Sequence, residues 1–401
     1  MAEHSDPLEL LTGPSAGEVL AAAVSATGAE LLSWQPVQVD HQTDRTTVAY
    51  RTQLSTGSAV LCATVGGSLP AGVTVVGDEE LQVGVWLAGN DPLLPGMRAA
   101  MDPVAVSSLF ESLGLGSGAV RLELRSYRPL RRAVVEATGL AGRLFLKVVP
   151  PGKVEALHKR HRLLAGGGVP APRSLGWTDD GLLVLETLPG RTLRGVLRSS
   201  GELPDPSALI EMLDRLPVEL VDAPRRSSWL ERTEYYARSV GDVVPELAAR
   251  SAELATTIVA ESHVGPVVPV HSDFYEAQIL VDGRGVVTGL LDVDTAGPGD
   301  RIDDLACLVG HLSVLAEVLP RHAAAIDEYG ARCLATFDRH VDPRQLRLRI
   351  ASVVLSLATG PHRVQEPGWR QATCDRLNLA ERWVNRSDSL HDERNHHVSN
   401  A

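Results

Sequence analysis

The spacing of apolar and polar residues divides the chain into a strand-rich first part and a helix-rich second part. Alternating or β-branched runs predict strands at 30–39, 46–54, 58–65, 80–88, 119–127, 131–138, 143–149 and 182–187. Helical spacing predicts helices at 16–27, 103–113 and 153–165, and after residue 190 at 205–222, 227–263, 303–318, 320–339, 343–358 and 369–385. One β-rich island interrupts this helical region, where 278–283 and 286–292 predict a hairpin.

The order of these elements predicts an α+β chain with four segments. Residues 1–115 form a small α+β cap, ending in the Gly-rich linker 114–118, and residues 116–188 form a β-rich domain. Residues 189–386 form a helical domain, and the polar residues 387–401 form a flexible tail.

Composition excludes several functional classes. The 401 residues are 44% hydrophobic and 22% charged, with a net charge of −12, which argues against nonspecific nucleic-acid binding but allows a local basic pocket for a phosphate. The chain contains no apolar run of about 18 residues and starts without a basic, apolar leader, so we expect no membrane span and no export. Four widely spaced cysteines indicate reduced thiols in the cytoplasm.

Lysine is scarce. Of 38 basic residues only three are lysines, Lys147, Lys153 and Lys159. Lysine is a compact charge on a flexible stem, whereas arginine is a wide planar fork, so a retained lysine indicates a position that arginine would not serve. The alternative is that the clustering is chance, and it carries more weight for Lys153 and Lys159 than for Lys147.

The candidate chemistry surrounds the predicted hairpin. His271-Ser-Asp273 precedes it, Gln278 opens it, and Asp292-Val-Asp294 closes it. A hairpin would bring Asp273, Gln278 and Asp292 together, supplying a base, an amide oxygen and a carboxylate. Oxygen ligands of this kind suit Mg²⁺, which keeps substrate phosphates as its other ligands.

This string resembles the core of kinase-fold phosphotransferases, and specifically the aminoglycoside phosphotransferase and choline kinase branch. The similarity covers about 120–385 and is strongest over 271–306. Most of that branch has Asn where this chain has Gln278. Gln at this position and an extra amino-terminal cap are features in which the chain resembles actinobacterial maltokinases, a group that includes glucosamine kinases. The resemblance implies a bilobal protein-kinase-like fold that uses ATP and Mg²⁺.

The resemblance also implies residue roles. Asp273 would accept the proton of the acceptor hydroxyl or orient it. Gln278 and Asp292 would hold Mg²⁺, and Asp294 would be a second-metal ligand or a supporting residue. His271 is expected to be a hydrogen-bonding strut. Asp300 and Asp304 are expected to be structural, capping the next helix and bonding the 271–278 loop.

On the nucleotide side, Lys147 would pair with the α- and β-phosphates, and Glu155 would hold that lysine, with Glu136 as the alternative. The segment with Glu186 and Leu188 resembles the hinge between the lobes, whose backbone binds adenine. The turn Ser126–Arg132 is the candidate phosphate-covering turn, or alternatively a solvated turn.

The acceptor site is the least determined part of the sequence. Glu276 is a candidate ligand for a sugar hydroxyl or amine, with Trp369 and Arg370 as a platform and a hydrogen-bonding fork, although each is alternatively an ordinary helix residue. Local acidity favours an amino sugar such as glucosamine over maltose. The alternatives are a maltokinase, an aminoglycoside phosphotransferase, or an inactive kinase fold that acts as a binding module. We expect a monomer or homodimer with a small-molecule partner.

Overall fold

The computed structural model describes residues 7–42 and 44–399, with side chains described as far as Ser389. The chain divides into two compact units. The first contains residues up to 159 together with 173–187 and 362–367, and the second contains 160–172, 188–361 and the remainder from 368.

The first unit begins with an antiparallel sheet of order β1-β2-β3-β5-β4. Its strands are β1 (Leu31–Gln42), β2 (Arg45–Leu54), β3 (Gly57–Val65), β4 (Thr74–Gly77) and β5 (Gln82–Leu87). Two helices, α1 (Pro7–Thr12) and α2 (Ser15–Ser25), share a buried apolar core with this sheet. The fully buried Tyr50 belongs to that core, and its hydroxyl donates to the Leu11 carbonyl at 2.6 Å.

A second sheet of the same unit has the order β6-β7-β8-β10-β9. Its strands are β6 (Arg121–Arg128), β7 (Arg132–Gly139), β8 (Gly142–Val148), β9 (Ser174–Trp177) and β10 (Leu182–Glu186). The short α3 (Met97–Ala100) and α4 (Pro103–Ser112) contribute Met97, Val106 and Phe110 to its core. Helix α5 (Pro151–Gly166) follows β8 and runs on into the second unit.

Helices dominate the second unit, and the large apolar cluster of the chain lies among them. They are α6 (Leu193–Leu197), α7 (Pro206–Asp214), α8 (Thr233–Val243), α9 (Ala248–Glu261), α10 (Arg301–Val318), α11 (Ala323–Phe337), α12 (Pro343–Leu357) and α14 (Trp369–Ser399), while α13 (Gly360–Arg363) crosses the division between the units. Two small sheets complete this unit. One has the order β11 (Arg191–Thr192), β13 (Ile279–Val281), β14 (Val287–Leu290), and the other pairs β12 (Val267–Val270) with β15 (Gly297–Asp300).

These elements confirm the predicted α+β class. The predicted helix 227–263 is instead two helices, because Val244 leaves helical geometry before Pro245 and a 3₁₀ turn intervenes. The predicted helix 205–222 ends at Asp214 and resumes as a 3₁₀ turn after Pro217. Helix α14 continues past the predicted end at 385 to Ser399, and the tail side chains from 390 on lie outside the described residues.

Candidate functional site

The predicted hairpin forms and places Gln278 beside Asp292. Strands β13 and β14 pair Ile279 with Leu290, and the Gln278 carbonyl accepts the Leu291 N–H at 2.8 Å. The turn that joins them is stabilised by Asp282, whose carboxylate accepts two backbone N–H groups at 2.8 and 2.9 Å. Gln278 and Asp292 therefore lie at one end of the hairpin.

The loop 271–278 is held by the buried Asp304 at the start of α10. Its two carboxylate oxygens accept the N–H groups of His271 and Ser272 at 2.7 and 2.8 Å. Asp300 caps the same helix through the Ile302 N–H and also accepts the Gly265 N–H at 2.7 Å. Both predicted structural roles are confirmed. Burial raises the pKa of Asp304, and the two N–H groups oppose that rise.

His271 is a strut between the loop and the hairpin, as predicted. Its Nε2 lies 2.9 Å from the Leu291 carbonyl, and a carbonyl can only accept, so Nε2 carries the proton. Its Nδ1 accepts the Asp273 N–H at 3.3 Å. Both ring nitrogens are thus engaged in fixing the backbone beside Asp273, and the ring is fully buried.

Asp273 and Asp294 are partly exposed and lie on the loop and just past the hairpin. Arg160, from the part of α5 that belongs to the second unit, donates to the Asp294 carbonyl. Burial lowers the pKa of Arg160, and the Asp294 carboxylate opposes that shift. The sequence carries no signal for Arg160, which is 134 residues from its partner.

Glu276 is fully buried and bound inside the protein. The Arg194 guanidinium on α6 donates to its Oε1 through Nη2 at 2.7 Å and Nε at 2.8 Å. Its other oxygen, Oε2, is buried with no hydrogen-bond partner, and burial raises the pKa of this carboxyl. The predicted acceptor ligand therefore presents no exposed surface, and its charge is balanced by Arg194.

In the first unit, Lys147 lies on β8 between Val134 of β7 and Leu183 of β10. It is 6% exposed. Its two predicted partners each have an ion pair of their own. Glu155 is paired with Lys159 at 2.7 Å on the exposed face of α5, and Glu136 is paired with Arg125 at 2.8 Å. The pairing of Lys147 with Glu155 or Glu136 therefore stays a prediction.

The predicted adenine segment follows β10. Glu186 ends that strand, and its carboxylate accepts from Arg173 at 2.6 Å. The division between the units falls between Thr187 and Leu188.

The predicted phosphate-covering turn joins β6 to β7 and is held by residues of the preceding segment. The Asp91 carboxylate accepts the Tyr127 hydroxyl at 2.7 Å and the Leu130 N–H at 2.8 Å. Arg131 pairs with Asp40 at 2.8 Å.

Trp369 and Arg370 open helix α14, and the Arg370 guanidinium lies 4.8 Å from the centre of the Trp369 ring. Arg370 is exposed and Trp369 is half-buried. The predicted platform and fork are thus stacked on each other.

Two further residues of the loop region carry contacts that the sequence did not indicate. Ser272 has a φ of +66°, a left-handed conformation that residues other than glycine rarely adopt. Its carbonyl accepts a hydrogen bond from Arg226 at 3.2 Å, which helps to hold the backbone in this conformation. Tyr275 stacks on His311 of α10 with ring centres 4.1 Å apart. A pocket lined by Arg225, Arg226, Trp229, Ser272 and Arg349 borders this loop and contains none of the predicted site residues.

The donor set defines what the site can hold. Among the described residues, no group of three or more His, Cys, Asp or Glu side chains is arranged to hold a metal ion by itself. One amide and two carboxylates at the hairpin end suit instead a hard cation that takes other oxygens from a ligand. Within the same described residues, no helix is both long and apolar enough to cross a membrane.

Comparison with known proteins identifies the family of this chain. Residues 130–340 match the family model described as "Phosphotransferase enzyme family". A search of the curated proteins found no match. The match confirms the predicted aminoglycoside phosphotransferase-like superfamily and the kinase-like character of the fold.

Several solved structures are similar to this chain at low sequence identity. A GDP complex of aminoglycoside 2'-phosphotransferase-IIIa is 16% identical, covers 71% of this chain and 100% of its own, and has a TM-score of 0.45. The macrolide 2'-phosphotransferase MphH from Brachybacterium faecium is 20% identical, with coverages of 68% and 98% and a TM-score of 0.41. The aminoglycoside phosphotransferase APH(3'')-Id from Streptomyces rimosus, in complex with ADP and streptomycin, is 22% identical, with coverages of 56% and 90% and a TM-score of 0.36.

Proposed function

This chain belongs to the phosphotransferase enzyme family, and on that premise we propose that it transfers the γ-phosphoryl group of ATP to a hydroxyl of a small sugar. The observation that carries the proposal is the loop and hairpin of the second unit. It holds Asp273 on a braced backbone and sets Gln278 beside Asp292. The four cysteines are free, which together with the use of ATP favours a cytoplasmic enzyme.

Asp273 is the proposed catalytic residue. Phosphoryl transfer depends mainly on positioning the nucleophile and on balancing charge, so the carboxylate's task is to orient the acceptor hydroxyl and accept its proton. The backbone around Asp273 is fixed by His271 and by the two N–H bonds to Asp304. A carboxylate on a rigid loop loses little entropy when it engages a substrate.

Gln278 and Asp292 fit Mg²⁺. Both offer oxygen atoms, and the Gln278 amide nitrogen is already used in a 3.1 Å bond to the Tyr275 hydroxyl, which leaves Oε1 as the available end. Bound Mg²⁺ would neutralise nucleotide phosphate charge, with those phosphates as further ligands. Asp294, supported by Arg160, is a second ligand or a supporting residue.

The proposed nucleotide contacts outside this loop are Lys147, Glu155, Glu186 and Leu188. Lys147 would pair with the α- and β-phosphates, and the buried strand that carries it limits its mobility. Glu155 is the proposed partner of Lys147. To pair with Lys147, it would have to give up its exposed ion pair with Lys159. Backbone groups of Glu186 and Leu188 would contact the adenine.

For the acceptor we propose an amino sugar such as glucosamine. Asp273, Asp292 and Asp294 are three carboxylates within one loop and hairpin. This local negative charge favours a cationic acceptor over a neutral one such as maltose. Trp369 and Arg370 are the proposed sugar-binding pair, while the buried Glu276 supports the loop from within.

The test is ATP consumption with a panel of acceptors. We expect turnover with glucosamine above that with glucose, maltose or an aminoglycoside, and none without Mg²⁺. Preference for maltose or an aminoglycoside would overturn the amino-sugar assignment and keep the chemistry. No acceptor-dependent turnover, with ATP bound unchanged, would indicate an inactive binding module.

A further inference from the structure

Tyr275 lies in the 271–278 loop, and the family resemblance assigns no role to it. The Gln278 N–H donates to its carbonyl at 2.8 Å, so Tyr275 and Gln278 are the ends of one tight turn. The Gln278 side chain closes the same turn, because its Nε2 donates to the Tyr275 hydroxyl at 3.1 Å. Gln278 is 9% exposed, so few other partners are available to its amide.

The ring of Tyr275 is held from two sides. His311 of α10 stacks on it, with ring centres 4.1 Å apart and planes inclined by 28°. The Arg194 guanidinium lies 5.9 Å from the ring centre, and Arg194 is fixed by its pair with the buried Glu276. The hydroxyl therefore has a defined position, set by α6 and α10.

A carboxamide has one end that donates and one that accepts, so fixing its nitrogen also fixes its oxygen. Only the oxygen can ligate a hard cation such as Mg²⁺. If the amide rotated by half a turn, its NH₂ group would take the place of the ligand oxygen.

We infer that Tyr275 is a positioning residue, whose hydroxyl holds the Gln278 amide nitrogen and thereby presents the amide oxygen to the metal that accompanies the nucleotide. The inference rests on the proposed function. It also gives a reason for Gln in place of the family's usual Asn, because the longer side chain reaches the hydroxyl at the far end of its own turn.

The test measures metal binding instead of turnover. The affinity of Mn·ADP is compared with that of ADP in EDTA by calorimetry, in wild type and in Tyr275→Phe, which keeps the stacked ring. We expect Tyr275→Phe to weaken the affinity for Mn·ADP by about 3- to 10-fold, the effect of one hydrogen bond, and to leave the affinity for ADP alone unchanged. Tyr235→Phe, which removes a hydroxyl from the surface of α8, is the matched control and should change neither affinity.

A second background separates positioning from a general structural role. In Gln278→Glu both terminal atoms are oxygens, so rotation of the group no longer matters. Adding Tyr275→Phe to Gln278→Glu should then change Mn·ADP affinity by less than about twofold. An equal loss in both backgrounds would overturn the inference, as would an unchanged affinity in Tyr275→Phe alone.

Asp292→Ala distinguishes failure of the inference from failure of the proposed function. Suppose that wild type binds Mn·ADP more tightly than ADP and that Asp292→Ala removes this gain. If Tyr275→Phe then leaves the gain unchanged, the inference alone is wrong. If wild type shows no gain from the metal, the proposed metal site is wrong and the inference falls with it.

Discussion

The three lysines occupy two kinds of environment. Lys147 lies on β8 and is 6% exposed, whereas Lys159 is 71% exposed on α5 and Lys153 is exposed on the same helix. A buried strand position accommodates a narrow ammonium stem more easily than the wider planar fork of arginine. The functional role of Lys147 stays a prediction, and the difference in burial selects Lys153 and Lys159 as its controls.

The corresponding prediction compares three conservative changes. Lys147→Arg keeps the charge and should lower kcat/KM for ATP by at least about tenfold, because the wider group cannot take the same position against the phosphates. Lys153→Arg and Lys159→Arg are the matched controls on the exposed helix and should stay near wild type. Steady-state kinetics checks all three, and equal tolerance would mean that Lys147 has no special role.

The buried pair of Arg194 and Glu276 leads to a second prediction at this scale. Glu276→Gln leaves the Arg194 guanidinium without its carboxylate, but Arg194 is 43% exposed and water can solvate it in part. We expect a loss of about 1–2 kcal/mol in the free energy of unfolding, measured by urea titration. The ratio of kcat/KM for glucosamine to that for glucose should not change. A change in that ratio with unchanged stability would show that Glu276 contacts the acceptor after all.

How far single residues could be read from the sequence depends on the distance between partners. His271, Asp300 and Asp304 were predicted correctly, because they belong to one motif whose spacing indicates the loop they support, although His271 and Asp304 are 33 residues apart. Arg194 is 82 residues from Glu276, and the sequence next to each residue does not indicate that they pair. Such pairs require the tertiary structure.

At the scale of elements, the turn between β6 and β7 depends on a cluster in the preceding segment. Asp91 is 3% exposed and accepts from Tyr127 and from Leu130, whose φ of +62° is left-handed. Trp86 donates to the same Tyr127 hydroxyl at 3.2 Å. The carboxylate thus stabilises a backbone conformation that leucine otherwise avoids.

Removing this carboxylate should destabilise the first unit. Asp91→Ala leaves the Leu130 N–H and the Tyr127 hydroxyl without their acceptor, and we expect a loss of about 2–4 kcal/mol in the free energy of unfolding. Tyr127→Phe removes one partner only and should cost about 1–2 kcal/mol. Denaturant titration measures both. Wild-type stability in Asp91→Ala would show that the cluster does not hold the turn.

Long elements were predictable and short paired ones were not. The longer strands of both large sheets and helices such as α5 and α12 match their predicted ranges closely, because each repeats a pattern over several turns or pairs. The four-residue strands β4 and β9 were not predicted. Strands β12 and β15 have four residues each and pair across an intervening stretch that includes the whole 271–278 loop. Nothing within four residues distinguishes such a strand from a loop.

At the scale of the whole molecule, the family assignment and the geometry of the second unit support the same chemistry. The carboxylates around the loop have two kinds of role: some, such as Asp304, brace its backbone, and others are proposed to act on ligands. Only the second group should respond to metal and substrate. The sequence motif identified this region because spacing within the 271–278 loop and hairpin is local, while the identity of the acceptor depends on surfaces that come together only in the folded chain.

The most direct test of the account is transfer of the labelled γ-phosphoryl group of ATP to glucosamine by wild type and by Asp273→Asn, with Mn·ADP affinity measured for both. We expect a phosphorylated sugar from wild type. In the variant, kcat should be about 10²–10⁴-fold lower with nucleotide affinity nearly unchanged, because the amide cannot accept the hydroxyl proton. Turnover near the wild-type rate in Asp273→Asn would contradict it.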